Sequence, residues 1–316
     1  MAFDRETMRR AAASLAADGV FIGTSSWKYP GWRGLLYDEA RYVWRGRFAE
    51  SRFEKNCLAE YAEVFKTVCV DAAYYRFPDE RSLATLASQV PEDFQFAFKV
   101  AADVTIKSFP NLPRFGARAG LDNPNFLNAD LFAGLFLRPC ETIRSRVGLL
   151  IFEFSQFHGA DFWRGRDFVA ALDLFLGALP RGWRYGVEIR NANFLQPDYF
   201  AALARHGVAH IYSSWADMPG VAEQLALPGS RTATEFAGMR LLLRPGRRYE
   251  EAVSRFSPYD RVQDANPEGR AAAAARVRRT RGAGRKTRAF IYINNRFEGC
   301  ALETIAGIIE QAATPA

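Results

Sequence analysis

Eight short apolar runs recur along the chain, and near the C-terminal end of almost every one stands a residue able to do chemistry. They are VFIGTSS (20–26), TVCVDAAYY (67–75), FQFAFKV (94–100), VGLLIFEF (147–154), RYGVEIR (184–190), VAHIYSS (208–214), MRLLLR (239–244) and FIYINN (290–295). The stretches between them carry helical patterns, and strands that alternate with helices pair in parallel. Eight such strands close into a β/α barrel, whose active site lies at the strands' C-terminal face. The expected fold class is therefore α/β: a single (β/α)8 TIM-type barrel with its chemistry at one mouth.

Alternation inside the runs says which side chains face the lumen. Only one face of a barrel strand touches the surrounding helices, and that face must be the apolar one. In RYGVEIR this turns Glu188 and Arg190 inward against Val187 and Ile189, and in FQFAFKV it turns Gln95, Ala97 and Lys99 inward against three phenylalanines. The same logic places Cys69 and Asp71, Glu153, Arg240 and Arg244, and Tyr292 and Asn294 on the lumen side, with His210, Tyr212 and Ser214 following on the sixth strand. The upper layers of this barrel are expected to be polar.

Residues 1–19 read as an amphipathic N-terminal helix, with Asp4 as cap, Met8, Ala11, Ala12 and Leu15 at helical spacing, and Gly19 as stop. Residues 20–316 are then the barrel domain. Helices are expected at 54–65, 80–89, 129–144, 166–179, 197–205 and 299–312, with Asp79 and Asn128 capping the second and third. Only a weak helix is expected within 215–236. Long loops follow the first strand (27–53) and the third (101–128), and both lie over the mouth. Five of the six tryptophans (Trp27, Trp32, Trp44, Trp163 and Trp215) fall in connections that leave a strand's C-terminal end, joined by tyrosines that include Tyr75. Such aromatics either stack on a flat ligand or anchor the loops, and the sequence leaves both readings open.

Charge is concentrated in one place. The formal net charge is +7, and the segment from Asn266 to Arg288 holds eight basic residues (Arg270, Arg276, Arg278, Arg279, Arg281, Arg285, Lys286, Arg288) against Glu268 alone. It opens with an Asn-Pro helix start and is expected to end in a loop, RTRGAGRKTR. A solvated helix and loop is favoured over a phosphate or nucleic-acid handle, because no aromatic is interleaved with the arginines. The four scattered cysteines, the missing signal-peptide core and the lack of a membrane-length apolar run point to a soluble cytoplasmic protein. Three histidines without metal-binding spacing make a zinc site improbable, and no nucleotide-binding glycine motif is present. No cofactor is expected, although Asp71, Glu153 and Glu188 leave room for a carboxylate-held magnesium ion.

GTSSWKYPGW (23–32), VCVDAAYYRFP (68–78), FQFAFKV, VGLLIFEF, VEIRNANF (187–194), Arg240 and FIYINNRFEGCA (290–301), in that order, resemble the successive motifs of the family called domain of unknown function 72, the YecE-like proteins. The resemblance spans about residues 20–310. It implies a TIM-type barrel and a soluble protein, with no established activity from which catalytic residues follow. Lys99, Glu188, Arg190, Arg240, Asn294 and Asn295 stand where the family has the same residue types. The chain departs from that pattern at Cys69 and Asp71, where the family has Glu and Asn, at Glu153 for Gln, and at Phe194 for Trp.

The candidate catalytic residues are Glu188, Asp71 and Glu153, carboxylates on three strands that suit acid and base, or acid and nucleophile, roles. Lys99, Arg190, Arg240, Asn294, Asn295, Trp27, Trp32 and Tyr75 are the candidate substrate-binding residues. The competing reading is structural, with Glu188, Arg190 and Arg240 as an interior ion-pair network. Two functions follow. One is a cofactor-independent hydrolase acting on a small polar or anionic substrate, sugar- or phosphate-containing. The alternative is a nucleotide or nucleic-acid binder that uses loop aromatics and the basic segment 270–288. Oligomeric state is not legible.

Overall fold

In the computed structural model, which describes residues 3–284 and 287–314, the eight apolar runs supply eight strands. These are β1 (Val20–Ser25), β2 (Thr67–Val70), β3 (Gln95–Lys99), β4 (Val147–Phe154), β5 (Tyr185–Ile189), β6 (Ala209–Ser214), β7 (Phe236–Leu241) and β8 (Arg288–Ile293). Each pairs in parallel with the next, and β8 closes onto β1 with Val20 opposite Ala289. The result is a closed barrel jacketed by helices, a TIM-type α/β fold.

Two hydrophobic layers build it. Val68, Phe96, Phe98, Phe152, Val187 and Ile291 face outward into the core shared with the helices. Phe21, Leu149, Ile151, Ile211, Phe290 and Tyr292 fill the lower lumen as a separate cluster. Gly186 and Gly238 make that plug possible. A Cβ on either would lie 2.4 or 2.3 Å from the Ile211 Cδ1 that fits between them, so the branched side chain from β6 occupies space that its two neighbouring strands leave open.

The N-terminal helix runs Arg5–Ala17, capped by Asp4, whose carboxylate accepts the Thr7 amide at 2.8 Å. It buries Met8, Ala12 and Leu15. Asp79 and Asn128 are helix caps, accepting the amides of Ser82 and Leu131, both at 2.8 Å. Among the described residues no helix is long and apolar enough to cross a membrane. The four cysteines are buried and unpaired.

The structure corrects four expectations. On β6 the parity is reversed: Ala209, Ile211 and Ser213 face the lumen, while His210 packs against Tyr199 and Phe200 in the helical jacket, and Tyr212 and Ser214 share its face. An imidazole and a phenol find partners among the jacket side chains, whereas beside Phe21, Phe290 and Tyr292 the lumen takes the smaller Ala209, Ile211 and Ser213 from β6. Strand β7 begins three residues earlier than its apolar run, at Phe236, and ends at Leu241, so Arg244 lies beyond the strand and pairs with Asp264 at 3.2 Å. The helix expected at 129–144 is broken into α, π and 3-10 pieces around Pro139, whose ring and missing N–H do not fit a regular helical turn. Finally, the helix Pro267–Gly282 takes in the first four residues, 279–282, of the expected RTRGAGRKTR loop; Arg285 and Lys286 of the basic segment lie outside the described residues.

Candidate functional site

Strand register dictates the centre of the mouth. Glu153 on β4 and Glu188 on β5 are direct partners in the parallel ladder, so two carboxylates enter the lumen side by side. Like charges so placed repel, and burial makes each expensive unless it is paired. Arg240, from β7 across the lumen, supplies the remedy: its Nη1 donates to Glu188 Oε2 at 2.6 Å and to Glu153 Oε2 at 2.9 Å. Its Nη2 donates to Asp71 Oδ1 at 3.3 Å. One guanidinium thus lies between all three carboxylates.

Further cations complete the network. Lys99 Nζ, at the end of β3, donates to Glu153 Oε1 at 2.8 Å and sits 3.6 Å from the centre of the Tyr74 ring. Arg190, just past β5, donates to Glu153 Oε2 at 2.9 Å and Glu188 Oε1 at 3.4 Å, with its guanidinium 3.7 Å from the Trp215 ring. The Ser213 hydroxyl donates to Glu188 Oε1 at 3.0 Å, which gives that carboxylate its neutral partner.

The electrostatic consequences differ from group to group. Burial works to raise the Glu153 carboxyl, but Arg190, Lys99 and Arg240 together outweigh it and hold the group far below the usual carboxylate range. Burial likewise works against the Arg240 charge, and Glu188, Cys69, Asp71 and Glu153 more than restore it. Burial pushes the Tyr74 phenol up to about 12, with the Glu153 charge adding to the effect. Glu153 is therefore an anchored anion, poorly suited to giving or taking a proton near neutrality. Asp71 is the accessible carboxylate: its side chain is 35% exposed, against 3% for Glu153 and 0% for Glu188.

Above this network lies a pocket of about 220 Å3, bounded by Asp71, Tyr74, Tyr75, Lys99, Arg114, Glu153, Arg190, Trp215, Arg240, Tyr249, Asn294 and Arg296. Five cations face two carboxylates there. Among the described residues neither Arg114 nor Arg296 forms an ion pair; Arg296 instead donates to Asn294 Oδ1 at 3.1 Å and to the Tyr249 hydroxyl at 2.9 Å. A larger, mainly apolar cavity of about 540 Å3 adjoins across Asp71, walled by Trp27, Phe77, Leu83, Leu86 and Phe98.

Of the residues singled out from sequence, Glu188, Asp71, Glu153, Lys99, Arg190, Arg240 and Asn294 are brought together, and exposed Tyr75 stands at the rim. Trp27 is buried and lines the adjoining cavity. Two are not brought to the mouth. Trp32 is fully buried, stacked on Tyr37 and tilted against Tyr29, because the long loop after β1 folds down onto its own aromatics. Asn295 points the opposite way from Asn294, and its side-chain oxygen accepts the Ala301 amide at 2.8 Å, at the start of the last helix. Arg114, Arg296 and Ser213 were missed. Period-2 extension of Tyr292 and Asn294 leads to Arg296, and correct parity on β6 leads to Ser213; Arg114, in a long irregular loop, leaves no such signal.

Fold and mouth together define a (β/α)8 barrel protein with an ion-paired floor and a cationic, open pocket at the C-terminal face. The chain belongs to the family described as protein of unknown function DUF72, whose family model matches residues 21–316. Among solved structures it resembles a DUF72 family protein from Enterococcus faecalis V583, with 16% identity over 94% of this chain and 96% of the other and a TM-score of 0.60. It also resembles one from Thermotoga maritima MSB8, with 18% identity over 92% and 97% and a TM-score of 0.55. Identities so low speak to the fold alone. No curated protein matches the chain.

Proposed function

We propose that the mouth binds a small anionic substrate, sugar- or phosphate-containing, and hydrolyses it with Asp71 as the general base or nucleophile. The observation that carries this reading is the charge count of the pocket: five cations against two carboxylates, one of which, Glu153, is already held by three cations. Arg114 and Arg296 at the rim suit the ligand's charge, and Lys99, Arg190 and Arg240 below suit charge that develops during reaction. As a base, Asp71 takes a proton from water, the hydroxide adds to the phosphoryl or acyl centre, and the leaving group departs toward the open rim, where solvent protonates it. Glu188, with Arg240, Arg190 and Ser213 around it, serves to position Arg240. The reading uses no cofactor. Arg240, paired with Asp71, Glu153 and Glu188, already supplies among them the positive charge that a magnesium ion held by these carboxylates would bring.

A nucleotide or nucleic-acid binder that combines loop aromatics with the basic segment has less support. The helix Pro267–Gly282 carries its C-terminal arginines to the starts of β7 and β8, at the pole opposite the loop aromatics. The test is hydrolysis of a panel of small phosphate and carboxylate esters. Asp71→Asn is expected to lower kcat at least a hundredfold with its melting temperature kept, while Arg114→Ala and Arg296→Ala raise KM. A protein inert on the whole panel, or an Asp71→Asn variant as active as wild type, refutes the proposal.

A further inference from the structure

The N-terminal pole of the barrel carries a charge imbalance that the mouth does not explain. Arg184, Arg231, Arg276, Arg279 and Arg288 converge there, and among the described residues none of the five forms an ion pair. Glu235 is the acidic group that acts on Arg184, against the repulsion of Arg288. Arg276 is the anomaly. It is 7% exposed, its guanidinium lies 5.4 Å from the Tyr212 ring, and its Nε has no hydrogen-bond partner among the described residues. Burial pushes its charged form down, Tyr212 opposes that, in part as a hydrogen-bond partner, and Arg279 and Arg231 add repulsion. A buried cation among like charges, with a neutral phenol as partner and no carboxylate, is costly, and proteins seldom keep one without a counter-charge.

The geometry around it suits a bound anion. Arg231, Arg276, Arg279 and Arg288, with Thr280 and Thr287, line a cleft of about 20 Å3, and the buried Thr287 hydroxyl also lacks a described partner. That volume admits little more than one oxygen atom. Arg288 is shared with a broader depression of about 540 Å3 that holds Arg144, Trp183 and Arg184. A ligand oxygen in the cleft and the rest of the ligand in the depression would meet forked guanidiniums and hydroxyls, the donor set that recognises phosphate. Beneath it Arg288 and Arg184 rest on Phe21 and Phe290, two rings of the lumen plug, at 5.9 and 6.0 Å. The plug separates this pole from the mouth.

We propose that the N-terminal pole is a second binding site, for a phosphate-bearing ligand, with Arg276 as its buried anchor. Calorimetry with inorganic pyrophosphate and with a short thymidine oligonucleotide, at fixed ionic strength, tests it. An Arg114→Ala/Arg296→Ala background removes the rim of the mouth, and residual binding is then compared with and without Arg231→Ala/Arg279→Ala, both exposed positions that the fold tolerates. Pyrophosphate or oligonucleotide binding that survives the mouth substitutions and weakens at least tenfold on adding the pole substitutions supports the site. Tighter binding of the oligonucleotide with a steep salt dependence identifies a nucleic-acid backbone as the source, and tighter binding of pyrophosphate a free phosphate compound. Binding lost with the mouth substitutions alone, binding unchanged by the pole substitutions, or no binding of either probe overturns the proposal.

Discussion

Replacing Arg240 with methionine isolates the element that holds the mouth together. The side chain is 3% exposed and contacts Glu188, Glu153 and Asp71 at 2.6, 2.9 and 3.3 Å, so the substitution strands Glu188 with only Arg190 and Ser213 and weakens the hold on Glu153. Breaking a buried pair by removing one partner costs about 3–5 kcal/mol, a large share of a typical stability of about 5–15 kcal/mol. For a chain of this size that is a fall in Tm of roughly 5–8 °C. The pH dependence follows from the Glu153 shift. Its folded-state pKa is depressed below the ordinary value of 4.5, so it contributes stability that is present above that value and lost as pH falls toward the folded pKa. In the variant, part of that contribution is gone already. The unfolded chains titrate alike, so the deficit against wild type should be full at pH 7 and shrink only as pH falls below the folded-state pKa of Glu153 in the variant, which lies between the wild-type value and 4.5. Urea denaturation of both proteins at pH 7 and pH 4 measures it. A variant within 1 kcal/mol of wild type at pH 7, or a deficit larger at pH 4 than at pH 7, refutes the idea that Arg240 is the counter-charge of these carboxylates.

Three further outcomes are expected. Burial lowers His210 from 6.5 to about 4, so the folded protein resists its protonation and loses stability, about 3 kcal/mol in all, as pH falls from about 6.5 to 4; His210→Phe should flatten that part of the denaturation profile, and an unchanged slope contradicts the assignment. Trp32→Ala, at a fully buried position, should cost about 3–5 kcal/mol in chemical denaturation, whereas Tyr75→Ala at the exposed rim should change stability by no more than about 0.5 kcal/mol. Asn295→Ala removes the acceptor for the Ala301 amide and should cost about 1–3 kcal/mol without altering ligand affinity at the mouth, as calorimetry with a bound anion would record.

The barrel was legible because its strands alternate strictly where one face meets helices and the other a crowded lumen. Val187 against Glu188 and Phe98 against Lys99 admit one orientation each, and together they locate the ion-paired floor. On β6 the rule failed for a physical reason. AHIYSS has polar side chains on both faces, and His210 and Tyr212 find a home in the jacket, so polarity alone misassigned the lumen side. Loop residues were harder still. Trp27 and Trp32 come from one segment, yet one walls a cavity and the other is sealed inside the loop, a distinction set by tertiary packing that no periodicity encodes. The role of Asn295 as a backbone acceptor also depends on where the following turn returns. The basic segment was visible as composition, but the pole it reaches became apparent only from the path of its helix.

The central claim is that the C-terminal mouth is an anion-binding pocket rather than a closed ionic plug. A crystal structure of the protein soaked with tungstate, read by anomalous scattering, tests this most directly. The account predicts an ordered anion above Arg240, within hydrogen-bonding distance of Arg296 or Arg114 and beside Asp71. A mouth holding only water, with tungstate bound elsewhere or nowhere, contradicts it.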